Sequence, residues 1–209
     1  MIGGRFITLE GGEGAGKSTQ VRRLAEALSS HADEIVTTRE PGGAPGAEAI
    51  RAILVDGDVD RWDAVTEALL HFAARRDHLA ATILPALERG ACVICDRFAD
   101  STMAYQGIVQ GAGPDIVDRL YAIAVGDLRP DLTLVLDLPV ETGLARAAER
   151  GGADRYERMG PAYHERLRQA FLDIVADNPD RCRLIDATGS EDDVAALILG
   201  EVAAKFDLP

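Results

Sequence analysis

Short apolar runs along this chain alternate with longer stretches in which apolar residues recur every three to four positions. The runs predict strands over 5–10, 34–38, 91–96, Leu132–Asp137 and 183–186. The longer stretches predict helices over 18–29, 45–55, 62–89, 100–125, 139–149, 161–177 and 191–206. Strands that alternate with helices imply right-handed βαβ units, hence a five-stranded parallel sheet with helices on both faces, an α/β fold. Val93-Ile94 and Leu134-Val135-Leu136 are apolar at consecutive positions, as strands covered on both sides require. Glycine-rich breaks at Gly42-Gly43, Gly111-Ala112-Gly113 and Gly151-Gly152 mark loops and candidate hinges.

One loop carries chemistry outright. Gly11-Gly12-Glu13-Gly14-Ala15-Gly16-Lys17-Ser18 matches G-x-x-x-x-G-K-[ST] and stands between the first predicted strand and a helix that continues through Thr19. Glycines let successive backbone N–H groups converge on phosphate oxygens, and the helix N-terminus adds positive dipole character. Lys17 supplies a point charge for the β- and γ-phosphates, and the Ser18 hydroxyl is a magnesium ligand in such loops. The whole segment from Gly11 to Thr19 is therefore the expected ATP site of a P-loop NTPase fold. A second acidic group is expected at a neighbouring strand end, where Asp96 suits a magnesium–water ligand and Asp137 is its rival.

The remaining composition narrows the class. A chain of 209 residues with 47% hydrophobic residues fits a single domain, 1–209, able to bury a core without metal or disulfide staples. Its formal charge of −13 disfavours a long nucleic acid partner, whereas a small anionic substrate senses only nearby cations. Cys92 and Cys95 lie three apart on one predicted strand, so their side chains face opposite sides and share neither metal nor bridge. With Cys182 they make an odd count, as expected in a reducing compartment. An apolar leader and a run of about 20 apolar residues are both lacking, so a cytoplasmic protein without membrane contact is expected. No N-K-x-D segment supports a switch GTPase. Small-molecule kinases instead need arginines to hold two polyanions in line, and Arg39, Arg51, Arg97, Arg150 and Arg155 fall in loops or lid segments after strands.

Taken together the motifs resemble those of bacterial thymidylate kinases over essentially the whole chain. The segments are the phosphate loop, Thr38-Arg39-Glu40-Pro41-Gly42-Gly43 with Arg51, Arg75-Arg76-Asp77-His78-Leu79, Asp96-Arg97-Phe98, Ser101-Thr102-Met103-Ala104-Tyr105-Gln106-Gly107, Arg129-Pro130-Asp131-Leu132-Thr133 and Asp154-Arg155. The resemblance implies ATP-dependent phosphorylation of dTMP to dTDP with Mg2+, in a homodimer. It implies that Glu13 accepts a hydrogen bond from the sugar 3′-hydroxyl and that Arg39, Arg51 and Arg97 hold the monophosphate. Arg75 would meet the thymine carbonyl, Thr102 and Gln106 the base edge, and Tyr105 would exclude a ribose 2′-hydroxyl. Gly14 stands where some family members carry an arginine, so the charge would come from a short lid over 146–157, with Arg146 on the ATP side and Arg150 and Arg155 joining Lys17 and Arg97 as catalytic groups. Family members stack a phenylalanine on the base four residues before the thymine-binding arginine; here His71 holds that place and Phe72 is next to it, and either residue fits by spacing. A kinase of another small phosphate acceptor and a nucleotide-binding regulator without turnover are the alternatives.

Overall fold

The computed structural model of the chain describes residues 1–151 and 155–208, with only the backbone at Arg150. The strands are β1 (Phe6–Gly11), β2 (Ile35–Arg39), β3 (Cys92–Asp96), β4 (Leu132–Asp137) and β5 (Cys182–Asp186). They pair in parallel in the order β2-β3-β1-β4-β5. The chain therefore reverses its winding direction around β1. Loops leaving β1, β3 and β4 open at one carboxyl edge there, which is where a doubly wound sheet forms a crevice.

Helices α1 (Lys17–Leu28) and α9 (Glu191–Phe206) cover one face. Val21, Leu24, Leu28, Val194, Ile198 and Val202 pack there against Ile7, Leu9, Cys92, Ile94 and Leu134. The other face packs Phe6, Val93 and Cys95 against Phe72 of α3 (Ala64–His78), together with Phe98 and Tyr121. Cys92 and Cys95 thus do lie on opposite faces, and both are free thiols. Helices α2 (Pro45–Val55), α7 (Val140–Arg150) and α8 (Pro161–Asp177) form within a residue or two of their predicted limits.

The two longest predicted helices are not uniform. The stretch 62–89 begins at the Asp63 cap, whose carboxylate accepts from the N–H groups of Val65 and Thr66, and runs α3, a π-helical turn over Leu79–Ile83, then α4 (Leu84–Glu88). The wider turn precedes Pro85, which has no N–H to continue the α ladder. The stretch 100–125 divides into α5 (Ala99–Thr102), a π-helical segment over Met103–Val109, and α6 (Pro114–Ala124). Gly111 and Gly113 break it with φ of 84° and 95°, and Pro114 restarts it at the first helical position.

The phosphate loop is wedged between neighbours at backbone distance. A Cβ on Gly14 would overlap the carbonyl of Gly143 in α7, and a Cβ on Gly143 would overlap the carbonyl of Glu13. A glycine inside a helix normally gains up to ~1 kcal/mol on replacement by alanine. Here the opposite sign is expected. Gly143→Ala should lower stability by about 1–3 kcal/mol, the usual penalty of overpacking, and thermal melting that shows an unchanged or higher midpoint would refute this contact.

Candidate active site

β1 delivers Gly11 to the crevice, and α1 starts only six residues later at Lys17. Gly14 and Gly16 adopt φ of 68° and 87°, which lets the loop fold over its own N–H groups. Lys17 Nζ donates to the carbonyls of Gly11 at 3.2 Å and Gly12 at 2.7 Å. Burial, and after it the adjacent Arg97 guanidinium, lower the Lys17 pKa to about 8 against the opposing pull of Glu13. The Ser18 hydroxyl donates to Asp96 Oδ2 at 2.5 Å. Asp137 is held instead by Arg168, at 2.7 and 2.8 Å. Of the two strand-ending aspartates, Asp96 is the one beside Ser18.

Arg97 follows Asp96 in a left-handed conformation, φ 70°. A non-glycine residue there needs its surroundings to enforce it. Glu10, fully buried on β1, does so with both oxygens: Oε1 accepts from the Phe98 N–H at 2.7 Å and Oε2 from the Ser101 hydroxyl at 2.5 Å. Burial, and secondarily Asp100, raise the Glu10 pKa to about 7. So clamped, Arg97 reaches the Gly11 carbonyl at 2.9 Å and Glu13 Oε1 at 2.9 Å. The Tyr105 hydroxyl donates to the same Glu13 oxygen at 2.5 Å. Burial alone would raise the Glu13 pKa, but Arg97 and then Lys17 outweigh it and bring the pKa down to about 2. Glu13 is therefore an anion at any working pH, with Oε2 left as an acceptor.

The same cleft, about 690 Å³, runs from the phosphate loop past Arg39, Arg51 and Arg97 to Arg75, Thr102 and Gln106. Arg75 on α3 is buried. Its Nε donates to Glu40 at 2.7 Å and its Nη2 to Thr102 at 3.0 Å, and the guanidinium lies over the Phe72 and Phe98 rings. Its Nη1 is buried without a hydrogen-bond partner among the described residues. A buried charge-bearing donor left in that state is a ready site for a ligand acceptor.

Three comparisons bear on this geometry. The family model described as thymidylate kinase matches residues 9–198. The thymidylate kinase of Caulobacter vibrioides is 54% identical over 208 residues, covering 100% of both chains. That of Bradyrhizobium sp. strain BTAi1 is 52% identical over 206 residues, 97% of this chain and 91% of that one. The chain belongs to the thymidylate kinase family. The crystal structure of thymidylate kinase from Ehrlichia chaffeensis shares the fold with a TM-score of 0.77 at 34% identity, over 95% of this chain and 98% of that one.

Against the family pattern, most expected residues converge on the cleft, whereas the side chains of Phe72, Arg155 and Arg146 do not line it. His71 lines it, whereas Phe72 is turned into the core beneath Arg75, packed edge-on to Tyr121. Arg155 was expected at the transferring phosphoryl group. It is instead fully buried, donating through Nε to the Leu54 carbonyl, through Nη1 to that of Val59 at 3.1 Å, and pairing with Glu67. A guanidinium with all three nitrogens committed in the interior ties this segment to α2, α3 and the loop between them. Arg146, within α7, points its Nη1 at the Ala187 carbonyl at 3.5 Å. The Arg150 side chain, Gly152 and Asp154 lie outside the described residues.

Sequence reasoning missed the acidic groups behind the wall: Glu10, Glu40 as the partner of Arg75, and Glu67. A signal existed for the last, because Glu67, His71 and Arg75 recur at four-residue intervals on α3 and so form a polar stripe along one face. His71 Nε2 lies 2.8 Å from the Tyr156 hydroxyl, which in turn donates to Glu67 at 3.0 Å. The hydroxyl proton is spent on the carboxylate, so His71 must donate from Nε2 and keep Nδ1 as an acceptor.

Burial, followed by the charges of Arg75 and Arg155, lowers the His71 pKa to about 3. In the unfolded chain the imidazole protonates near 6.5. Between those values the unfolded state holds one proton more than the fold, so stability is complete above about pH 6.5 and declines as pH falls toward 3. His71→Phe should remove part of the stability difference between pH 7.5 and pH 5 in denaturant titrations. An equal loss in both proteins would show that His71 is protonated in the fold.

Proposed function

We infer that the chain phosphorylates dTMP to dTDP with ATP. The observation that carries this reading is the single cleft that joins the phosphate loop at one end to the unpaired Arg75 Nη1 and the Gln106 amide at the other. ATP phosphates fit the loop of Gly11 to Thr19, with Arg146 on the same side. The acceptor monophosphate fits among Arg39, Arg51 and Arg97, where guanidinium groups bind two oxygens at once. A phosphate oxygen of dTMP attacks the γ-phosphorus in line, and the bond to the bridging oxygen of ADP breaks. The chain's task is to place the two anions and neutralise the charge between them.

The sugar sits over Glu13 and Tyr105, whose mutual hydrogen bond leaves no room for a 2′-hydroxyl and leaves Glu13 Oε2 for the 3′-hydroxyl. Arg75 donates to the thymine O4, Thr102 supports Arg75, and the His71 ring stacks on the base in place of the family's phenylalanine. Lys17 spans the β- and γ-phosphates. Arg150, at the end of α7, is the lid residue assigned to the transferring phosphoryl group.

The oxygens of Ser18 and Asp96 suit Mg2+ arriving on the nucleotide, which would supply charge neutralisation to the phosphates. No group of three or more His, Cys, Asp or Glu side chains suited to a metal occurs among the described residues, as fits a cation carried mainly by substrate. Val65 and Leu69 of α3 and Ile123 of the adjoining α6 are exposed apolar residues and support a two-fold dimer through these helices. No helix among the described residues is long and apolar enough to cross a membrane; with the free cysteines, this supports a cytoplasmic enzyme.

In an assay of ADP release, dTMP should be preferred over dUMP, dCMP and dGMP, and Lys17→Ala should abolish turnover in a folded protein. Comparable rates with all four acceptors would overturn the substrate assignment. Arg150→Ala should lower kcat by about 100-fold or more while dTMP affinity changes only a few-fold, because an arginine of this kind acts in the transition state. Arg155→Ala should chiefly lower the melting temperature. The reverse pattern would return the catalytic role to Arg155.

A further inference from the structure

Glu67 touches no part of the cleft, yet four side chains around the base-binding end converge on it. Its Oε1 accepts from Gln106 Nε2 at 2.7 Å, Gln110 Nε2 at 2.9 Å and the Tyr156 hydroxyl at 3.0 Å, and its Oε2 pairs with Arg155. Both Glu67 and Arg155 are sealed from solvent. With three donors on Oε1 and a guanidinium against Oε2, the Glu67 side chain serves its neighbours only as an acceptor.

That asymmetry has a consequence for Gln106. An amide side chain has a donor end and an acceptor end of nearly the same shape, so packing alone does not choose between them. Facing a carboxylate, only the NH2 end is tolerated, since the flipped amide would set oxygen against oxygen. Gln106 is thereby obliged to offer its Oε1 to the cleft. We propose that Glu67 is the positioning residue that sets base selectivity, by fixing Gln106 as an acceptor beside the donor Arg75 Nη1. A donor and an acceptor side by side match a pyrimidine that carries O4 and N3–H. They oppose one that carries a 4-amino group and a bare N3.

The inference rests on the dTMP reading and deepens it. The test compares the whole protein's affinity for dTMP with that for 5-methyl-dCMP, which differ only at the 4-position and N3, by calorimetry. In Glu67→Gln a neutral amide replaces the carboxylate and can accept or donate, so Gln106 is free to turn. The preference for dTMP should fall about tenfold, within the range one correctly placed hydrogen-bonding pair contributes to base discrimination. Gln110→Ala removes another Glu67 partner away from the cleft and should leave the preference intact.

If Glu67→Gln fails to fold because Arg155 loses its partner, the double variant Glu67→Gln, Arg155→Met removes the ion pair as a unit and should show the same fall. A folded variant that keeps the wild-type preference, or an equal fall in Gln110→Ala, overturns the role of Glu67 while leaving the kinase reading standing. A wild-type protein with no preference for dTMP sinks both.

Discussion

A carboxylate taken out of water must be surrounded by donors, and the working cleft of this chain is organised by that requirement. Glu10, Glu40 and Glu67 are buried within or behind its walls, and each is satisfied by groups the chemistry then uses or leans on. Glu10 holds the loop that forces Arg97 into its left-handed turn. Glu40 takes Nε of Arg75 and, at 3.1 Å, Nδ1 of His78, whose Nε2 meets Thr38 at 2.6 Å. Glu67 gathers Gln106, Gln110, Tyr156 and Arg155. Leaving such a group without its partner is costly, so each carboxylate constrains its neighbours more tightly than apolar packing would.

Seen this way, the division between fold and site is indistinct. Arg75 belongs to both, since it stacks on Phe72 and Phe98 in the core while its Nη1 has no hydrogen-bond partner among the described residues and the side chain lines the cleft. Tyr105 is likewise a core residue by its rings' edge contacts with Tyr156 and Phe171 and a site residue by its hydroxyl. The π-helical segment that carries Tyr105 and Gln106 widens the backbone where these side chains must turn toward the cleft, a placement common near functional sites.

Much of this was legible in the chain. The buried strands β1, β3 and β4 were readable from their apolar runs and the edge strands β2 and β5 from shorter ones, and the phosphate loop because its glycines and Lys17 serve backbone chemistry. The two long helices read as uniform because a π-helical segment has no residue signature of its own, and only Pro85 and the Gly111–Gly113 break betray the interruptions. The misplacement of Arg155 has a different cause. In sequence Arg155 stands with Arg150 beside Gly151-Gly152 and reads as a lid cation, and what buries it, Glu67, lies 88 positions earlier. Buried ion pairs leave no periodic trace. The open choice between His71 and Phe72 had the same origin, as adjacent helical positions differ only in which neighbour they meet.

The contact between Gly14 and Gly143 bears on how such an enzyme changes over time. Related enzymes that place an arginine in the phosphate loop and those that rely on a lid look interchangeable when only charge is considered. Here the helix leading to the lid occupies the very space that a side chain at position 14 would need. On the proposed reading, in which the lid supplies the cation, moving it to the loop requires the helix to withdraw first. The two solutions are separated by shape as well as by charge.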